Sequence, residues 1–264
     1  MKKILWGMVL LAFLTGVNFY FRQDAPGVGS SGLLERASSG IAGLWEPDAG
    51  PAASQHKYDV ADSPYFKSAD VYHLTSGGSL LLLEKYATKQ QESAYTCGPA
   101  AAWTVVRHFL GSVPETEKEI AGIMGTRPAG MKDPGTNVRG MSRYFEAKGW
   151  IVKNSLNNGS PKTYRDFLQF VDANLKNKIP IMVENVDWGG HWRVIIGHDT
   201  MGDRENANDV LVLADPYDTT DHLQDGYGFV SAQRFYYMWF DAQLFREGER
   251  LRPWLTAVPP DRNL

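Results

Sequence analysis

A single cysteine among 264 residues, Cys97, removes one class of solution to the folding problem: no internal disulfide can staple this chain, so a hydrophobic core must hold it. The composition supplies that core. Apolar residues make up 43% and aromatic residues 12%, the make-up of an ordinary globular protein, and the length suits one large domain or two small ones. The formal net charge of -3 provides no basic field to gather a polyanion, and no Lys/Arg cluster interleaves with aromatic residues, so no nucleic-acid partner is expected.

Residues 1–22 have the pattern of an export segment: Lys2 and Lys3 precede an apolar run from Ile4 to Val17. The run suits a signal-peptide core, and with Phe19 to Phe21 included it approaches the roughly 20 residues that a retained anchor needs. Lysines ahead of it place the N-terminus inside and the remainder outside, so a periplasmic or extracellular location is expected, either free or tethered to the membrane by this segment. No cysteine follows the run, which excludes a lipoprotein anchor. Residues 23–56 are rich in Gly, Ala, Ser and Pro and are expected to form a flexible linker. Within them GVGSSG, Gly27 to Gly32, fits GxGxxG by letter only, since it follows no strand and opens no helix. The ordered domain is expected over 57–245, with 246–264 as a C-terminal extension.

Inside that domain Val71–Thr75 and Leu80–Leu83 read as strands of a hairpin turning at Ser76, Gly77 and Gly78. Pro99 then suits the first turn of a helix, on which Ala102, Val105, Val106 and Phe109 share a face until Gly111. Further helices are expected at 116–124, 137–148 and 163–176, and strands at 150–153, 181–184, 192–198 and 210–214. A last short helix starts at Ser231 and carries Phe235 and Trp239 inward. Helices first and antiparallel strands later make the class α+β.

Cys97 thus stands at a helix N-terminus, where unpaired amides and a partial positive charge favour thiolate over thiol. A thiolate nucleophile needs a base, and the chain has 6 histidines. His108 is on the helix that Cys97 opens, about 16 Å along it at 1.5 Å per residue, and cannot curl back. His56 ends the linker. His191 opens a strand and Asp215 closes the next, so if the two strands pair as a hairpin through 199–209, His191 and Asp215 meet at one end. His198 would then lie roughly 23 Å from that end and, by parity, on the opposite face. Asp215 would fix the tautomer of His191, whose other nitrogen exchanges a proton with Cys97. The backbone amide of Cys97 is one donor for a developing oxyanion, and Gln91, six residues upstream, is the expected second, with Gln90 open beside it.

At these residues the sequence resembles the papain-like cysteine peptidases, and more closely the bacteriocin-processing, double-glycine peptidases of cysteine peptidase family thirty-nine and their stand-alone relatives. The shared pattern is Gln91, then Cys97-Gly98-Pro99, then GGHWRVIIGHD from Gly189 to Asp199 and LADPYD from Leu213 to Asp218; the segment Gly135 to Trp150 is similar as well. The resemblance implies a papain-like fold, with the nucleophile helix packed on an antiparallel sheet. It implies Cys97 as nucleophile, His191 as general base, Asp215 as its orienter and Gln91, over Gln90, as oxyanion donor. It implies a thiol peptidase acting on a peptide or protein, without cofactor or metal. Thr96 departs from the aspartate common in the processing peptidases, and with no GxxxxGK[ST] in the sequence no ATPase domain is expected in this chain. Two other readings are a related amidase or transamidase, and a peptide-binding module that keeps the fold without the activity.

Overall fold

Apolar residues three or four apart become helices here and short continuous apolar runs become strands. The computed structural model describes residues 49–261 apart from 129, 203–205 and 243; the expected signal or anchor segment, the GxGxxG match and most of the expected linker lie outside the described residues. In chain order the elements are β1 Leu80–Leu82, α1 Cys97–Leu110, α2 Glu117–Met124, α3 Val138–Ala147, β2 Ile151–Asn154, α4 Ser155–Asn158, α5 Tyr164–Lys176, β3 Ile181–Asn185, β4 His191–Asp199, β5 Val210–Ala214, β6 Tyr227–Ser231, α6 Ala232–Met238 and β7 Trp254–Val258. Among the described residues no helix is long and apolar enough to cross a membrane.

The helices begin where side chains can satisfy their first amides. Thr116 and Glu119 form a reciprocal capping box on α2, Thr163 and Asp166 do the same on α5, and Asn137 accepts from Gly140 on α3; each such cap stabilises by about 1 kcal/mol. Helix α1 differs, because Thr96 makes no side-chain cap and turns its hydroxyl back to Ser93 instead. The first turn of α1, which starts with Cys97, therefore keeps its amides free of a capping side chain.

All strand pairs are antiparallel, in the order β2-β7-β3-β4-β5-β6, and β1 also pairs with β4. Strands β3 and β7 bury all five of their residues, the polar Glu184, Asn185 and Thr256 included, as strands do when both faces of a sheet are covered. Helices α1 and α5 both pack on β4. An aromatic group of Phe167, Phe235 and Trp239 is fully buried behind the sheet, and each such side chain is worth about 1.5–3 kcal/mol of transfer free energy. The α+β class, with the helix that bears Cys97 laid on an antiparallel sheet, is as expected from the sequence.

Four local expectations are corrected. Val71–His73 is a single 3-10 turn and not a strand, so the turn at Gly77 and Gly78 closes one bridge, Gly77 to Leu80, and no longer ladder extends from it; β1 finds its partner in β4, Leu82 opposite Gly197, because the long strand offers more buried ladder than a short hairpin could. Residues 246–264 are not a mere extension, since β7 lies between β2 and β3 inside the sheet. The end of the expected linker is ordered: Pro51–Ser54 form a 3-10 turn, and Ala49 bridges to Ser93. Finally, the hairpin of β4 and β5 forms with Val194 opposite Ala214 and Asp199 opposite Val210, but its register shifts between Ile195 and Gly197. A bulge there moves the alternation by one residue, which undoes the parity argument about His198.

Candidate active site

Cys97 is the first residue of α1 and is buried. The neighbouring Gly98 lets the helix approach its surroundings closely, since a β-carbon there would lie 2.9 Å from that of Thr136. On the opposing sheet His191 is the first residue of β4, and Asp215 directly follows β5. The hairpin brings them to one end: His191 Nε2 hydrogen-bonds Asp215 Oδ1 at 2.7 Å. That leaves Nδ1, and the Cys97 sulfur is near enough to the same imidazole to favour its charged form. Asp215 also accepts from Arg193 Nε at 2.7 Å and from the Tyr217 amide at 2.8 Å, and Arg193 reaches on to Asp187 at 2.6 Å.

These contacts set the charges. Burial disfavours an imidazolium at His191, but the Asp215 carboxylate outweighs it, with the Cys97 sulfur adding to it, and the ring is pushed up to about 9. Burial likewise opposes charge on Asp215, yet His191 and Arg193 draw its carboxyl down to about 2. The pair is therefore ionised across neutral pH, with the imidazolium next to the sulfur.

The two glutamines separate. Gln90 is spanned by structure, its Nε2 donating to the Asp215 carbonyl at 2.8 Å and its Oε1 accepting from the Asp218 amide at 3.1 Å. Gln91 gives one amide hydrogen to the Ser93 carbonyl at 2.7 Å, while its Oε1 is buried without a partner. Glu117, at the start of α2, anchors this loop: its Oε1 accepts from the Glu92 amide at 2.8 Å, and its Oε2 lies 3.3 Å from Lys89 Nζ.

The sequence profile described as the Peptidase_C39 like family matches residues 83–240, more than half of the chain, a span that holds Gln91, Cys97, His191 and Asp215. The chain belongs to the Peptidase_C39-like family. That membership agrees with the resemblance in its motifs and brings with it the class of cysteine peptidases. The chain is also similar to the crystallised peptidase domain of Streptococcus ComA, described as a bi-functional ABC transporter involved in a quorum-sensing pathway, at 17% identity and a TM-score of 0.43, covering 66% of this chain and 98% of that one. The peptidase domain of Streptococcus mutans ComA matches at 15% identity and a TM-score of 0.32, covering 66% and 100%. None of the curated proteins matches the chain.

Within this member of the Peptidase_C39-like family, several neighbours of the site escaped the sequence reading. Trp188 holds a left-handed backbone, φ 52°, which costs a non-glycine residue about 1–3 kcal/mol. Its ring is 63% exposed and stands edge-on to His191 at 5.1 Å, with Tyr217 beside it at 5.0 Å. A second group is acidic. A β-carbon on Gly190 would lie 2.3 Å from Glu184 Oε1 and 2.6 Å from Asp241 Oδ2; the backbone there is extended, so close approach alone demands glycine. Both acids are buried, and burial followed by the Asp241 charge raises Glu184 well above the carboxylate range, with Cys97 contributing. Both Glu184 oxygens and Asp241 Oδ2 are buried without a hydrogen-bond partner. Arg193, two residues past His191 on an alternating strand, was the one second-layer group that spacing could have flagged. Among the described residues no group of three or more His, Cys, Asp or Glu is placed to hold a metal ion.

Proposed function

We propose that the protein is a thiol peptidase that hydrolyses a peptide bond through an acyl-enzyme on Cys97. One observation carries this reading: His191 is fixed to Asp215 through Nε2, which leaves its other nitrogen uncommitted on a ring close to the only thiol in the chain, at the start of a helix without a side-chain cap. The Cys97 sulfur adds to the scissile carbonyl as a thiolate, and the electron pair moves onto the carbonyl oxygen. The backbone amide of Cys97 and the second amide hydrogen of Gln91 are the donors for that oxyanion. Collapse of the intermediate breaks the C–N bond as His191 gives its proton to the leaving amine. Water then attacks the thioester, with His191 taking its proton, and the tetrahedral adduct collapses to release the acid and return the Cys97 thiolate beside the imidazolium. Asp215, itself held by Arg193 and Tyr217, keeps the imidazole oriented through both steps.

The substrate we propose is an exported peptide or protein, met outside the membrane by a domain that residues 1–22 direct there, free or tethered. Neither a cofactor nor a metal takes part in the steps above. The test is intact-mass analysis after exposure to a peptidyl chloromethyl ketone, in parallel with digestion of peptides and of peptidoglycan fragments. A single adduct absent from Cys97→Ala, with cleavage of the peptides, is expected. Full hydrolysis by Cys97→Ala overturns the mechanism; a folded wild type whose thiol stays inert points to a peptide-binding module; loss of a peptidoglycan amide alone points to an amidase.

A further inference from the structure

We propose that Ala49–Ser54 is a strap that positions the oxyanion-side amide of Gln91, so that catalysis depends on a segment lying ahead of the family-matched span; this rests on the role given to Gln91 above. Four backbone groups fix Gln91 and Glu92 in place. The Gln91 amide donates to the Pro216 carbonyl at 2.9 Å and the Glu92 amide to Glu117 Oε1 at 2.8 Å. The two carbonyls are satisfied from the strap: Gln91 O accepts from the Ala52 amide at 3.1 Å, and Glu92 O from the Gly50 amide at 3.0 Å. Ala49 extends the contact as a bridge to Ser93. On its other side the strap reaches the loop that follows Asp215, through Gln224 Nε2 donating to the Pro51 carbonyl at 3.3 Å.

The fit is tight enough to be specific. A β-carbon on Gly50 would stand 2.3 Å from the Gln91 carbonyl oxygen, 2.7 Å from the Ser93 nitrogen and 2.8 Å from the Ser93 oxygen. All three are backbone atoms and cannot swing aside. Gly50 has φ -90°, which any residue adopts, so glycine is required here only by proximity to the loop it holds. Gln91 itself is 1% exposed, and its side chain has no latitude to recover if its backbone moves. Adding an atom at Gly50 must therefore push first on the loop that carries the oxyanion donor, and reaches Cys97 only through the side-chain contacts of Ser93 with Thr96.

Two reagents divide these effects in the full-length protein. Acylation of Cys97 by p-nitrophenyl acetate passes through a tetrahedral oxyanion; alkylation by iodoacetamide displaces iodide at a saturated carbon and forms none. Gly50→Ala is expected to slow the p-nitrophenolate burst roughly 10-fold with alkylation within about twofold of wild type, less than the roughly 10²- to 10³-fold of losing one oxyanion donor outright because the donor is displaced and not removed. Pro51→Gly, which loosens the strap without adding an atom, is expected to slow the burst by a smaller factor in the same sense and decides alone if Gly50→Ala does not fold. The double variant Gly50→Ala with Gln91→Ala is expected to be no slower than Gln91→Ala. A burst unaffected by Gln91→Ala overturns the role of Gln91. A burst lowered by Gln91→Ala but unchanged in the strap variants, or equal losses in both reactions, overturns the strap.

Discussion

Two histidines sit on β4, His191 at its start and His198 near its end, both 3% exposed and both bonded to aspartates. His198 commits both ring nitrogens to carboxylates, Nδ1 to Asp172 at 2.7 Å and Nε2 to Asp209 at 3.0 Å, and so ties α5 to the start of β5. His191 commits only Nε2 and leaves the other nitrogen for a thiol. A buried His–Asp contact is thus common architecture. What distinguishes chemistry from a clamp is a ring nitrogen left over and a nucleophile to use it.

The largest effect that sets the two apart should come from His191→Ala, which is expected to lower turnover at least ~10³-fold with near-UV circular dichroism unchanged. Comparable turnover in that variant would erase the distinction. Asp215→Asn keeps the shape but removes the counter-charge, so turnover should drop about 10²-fold and the alkaline limb should move to lower pH, read from a pH-rate profile. The wild-type limb should fall as pH rises through about 9, where the His191 imidazolium loses its proton. The same shifts predict stability. His191 is raised, so its contribution is full below its unfolded value near 6.5 and lost through about 9; Asp215 is lowered, so its contribution holds above its unfolded value near 3.8 and is lost as pH falls through about 2. Urea titrations across both ranges check the signs. The smallest change in turnover belongs to His198→Ala, expected within about twofold of wild type, while stability drops by about 2–4 kcal/mol because buried Asp209 loses the ring nitrogen it pairs with.

The parts of the site that follow from local chemistry were legible in the sequence. Pro99 and the apolar face behind it mark the start of α1, and a strand beginning at His191 paired with one ending before Asp215 places those two together whatever the sheet around them. Long-range pairing was not legible. The strand Trp254–Val258 is a short apolar run with no alternation, since both its faces are covered, and nothing in its own residues says that β2 and β3 flank it. The bulge at Ile195 to Gly197 leaves no mark that could be counted in advance. The acidic pair beside Gly190 joins residues from β3 and from the stretch after α6, which no spacing connects. Gly50 looked like linker because its composition is that of a linker; its conformation is ordinary and only its distance from Gln91 sets it apart.

The position of β7 has a consequence for how the molecule comes into being. Synthesis delivers β2 and β3 long before the strand that separates them in the sheet, so for that interval each presents a bare hydrogen-bonding edge that waits for a late-arriving neighbour. Maturation is therefore gated by the arrival of Trp254–Val258, and a ribosome that stops short of Trp254 releases a sticky sheet with that gap unfilled.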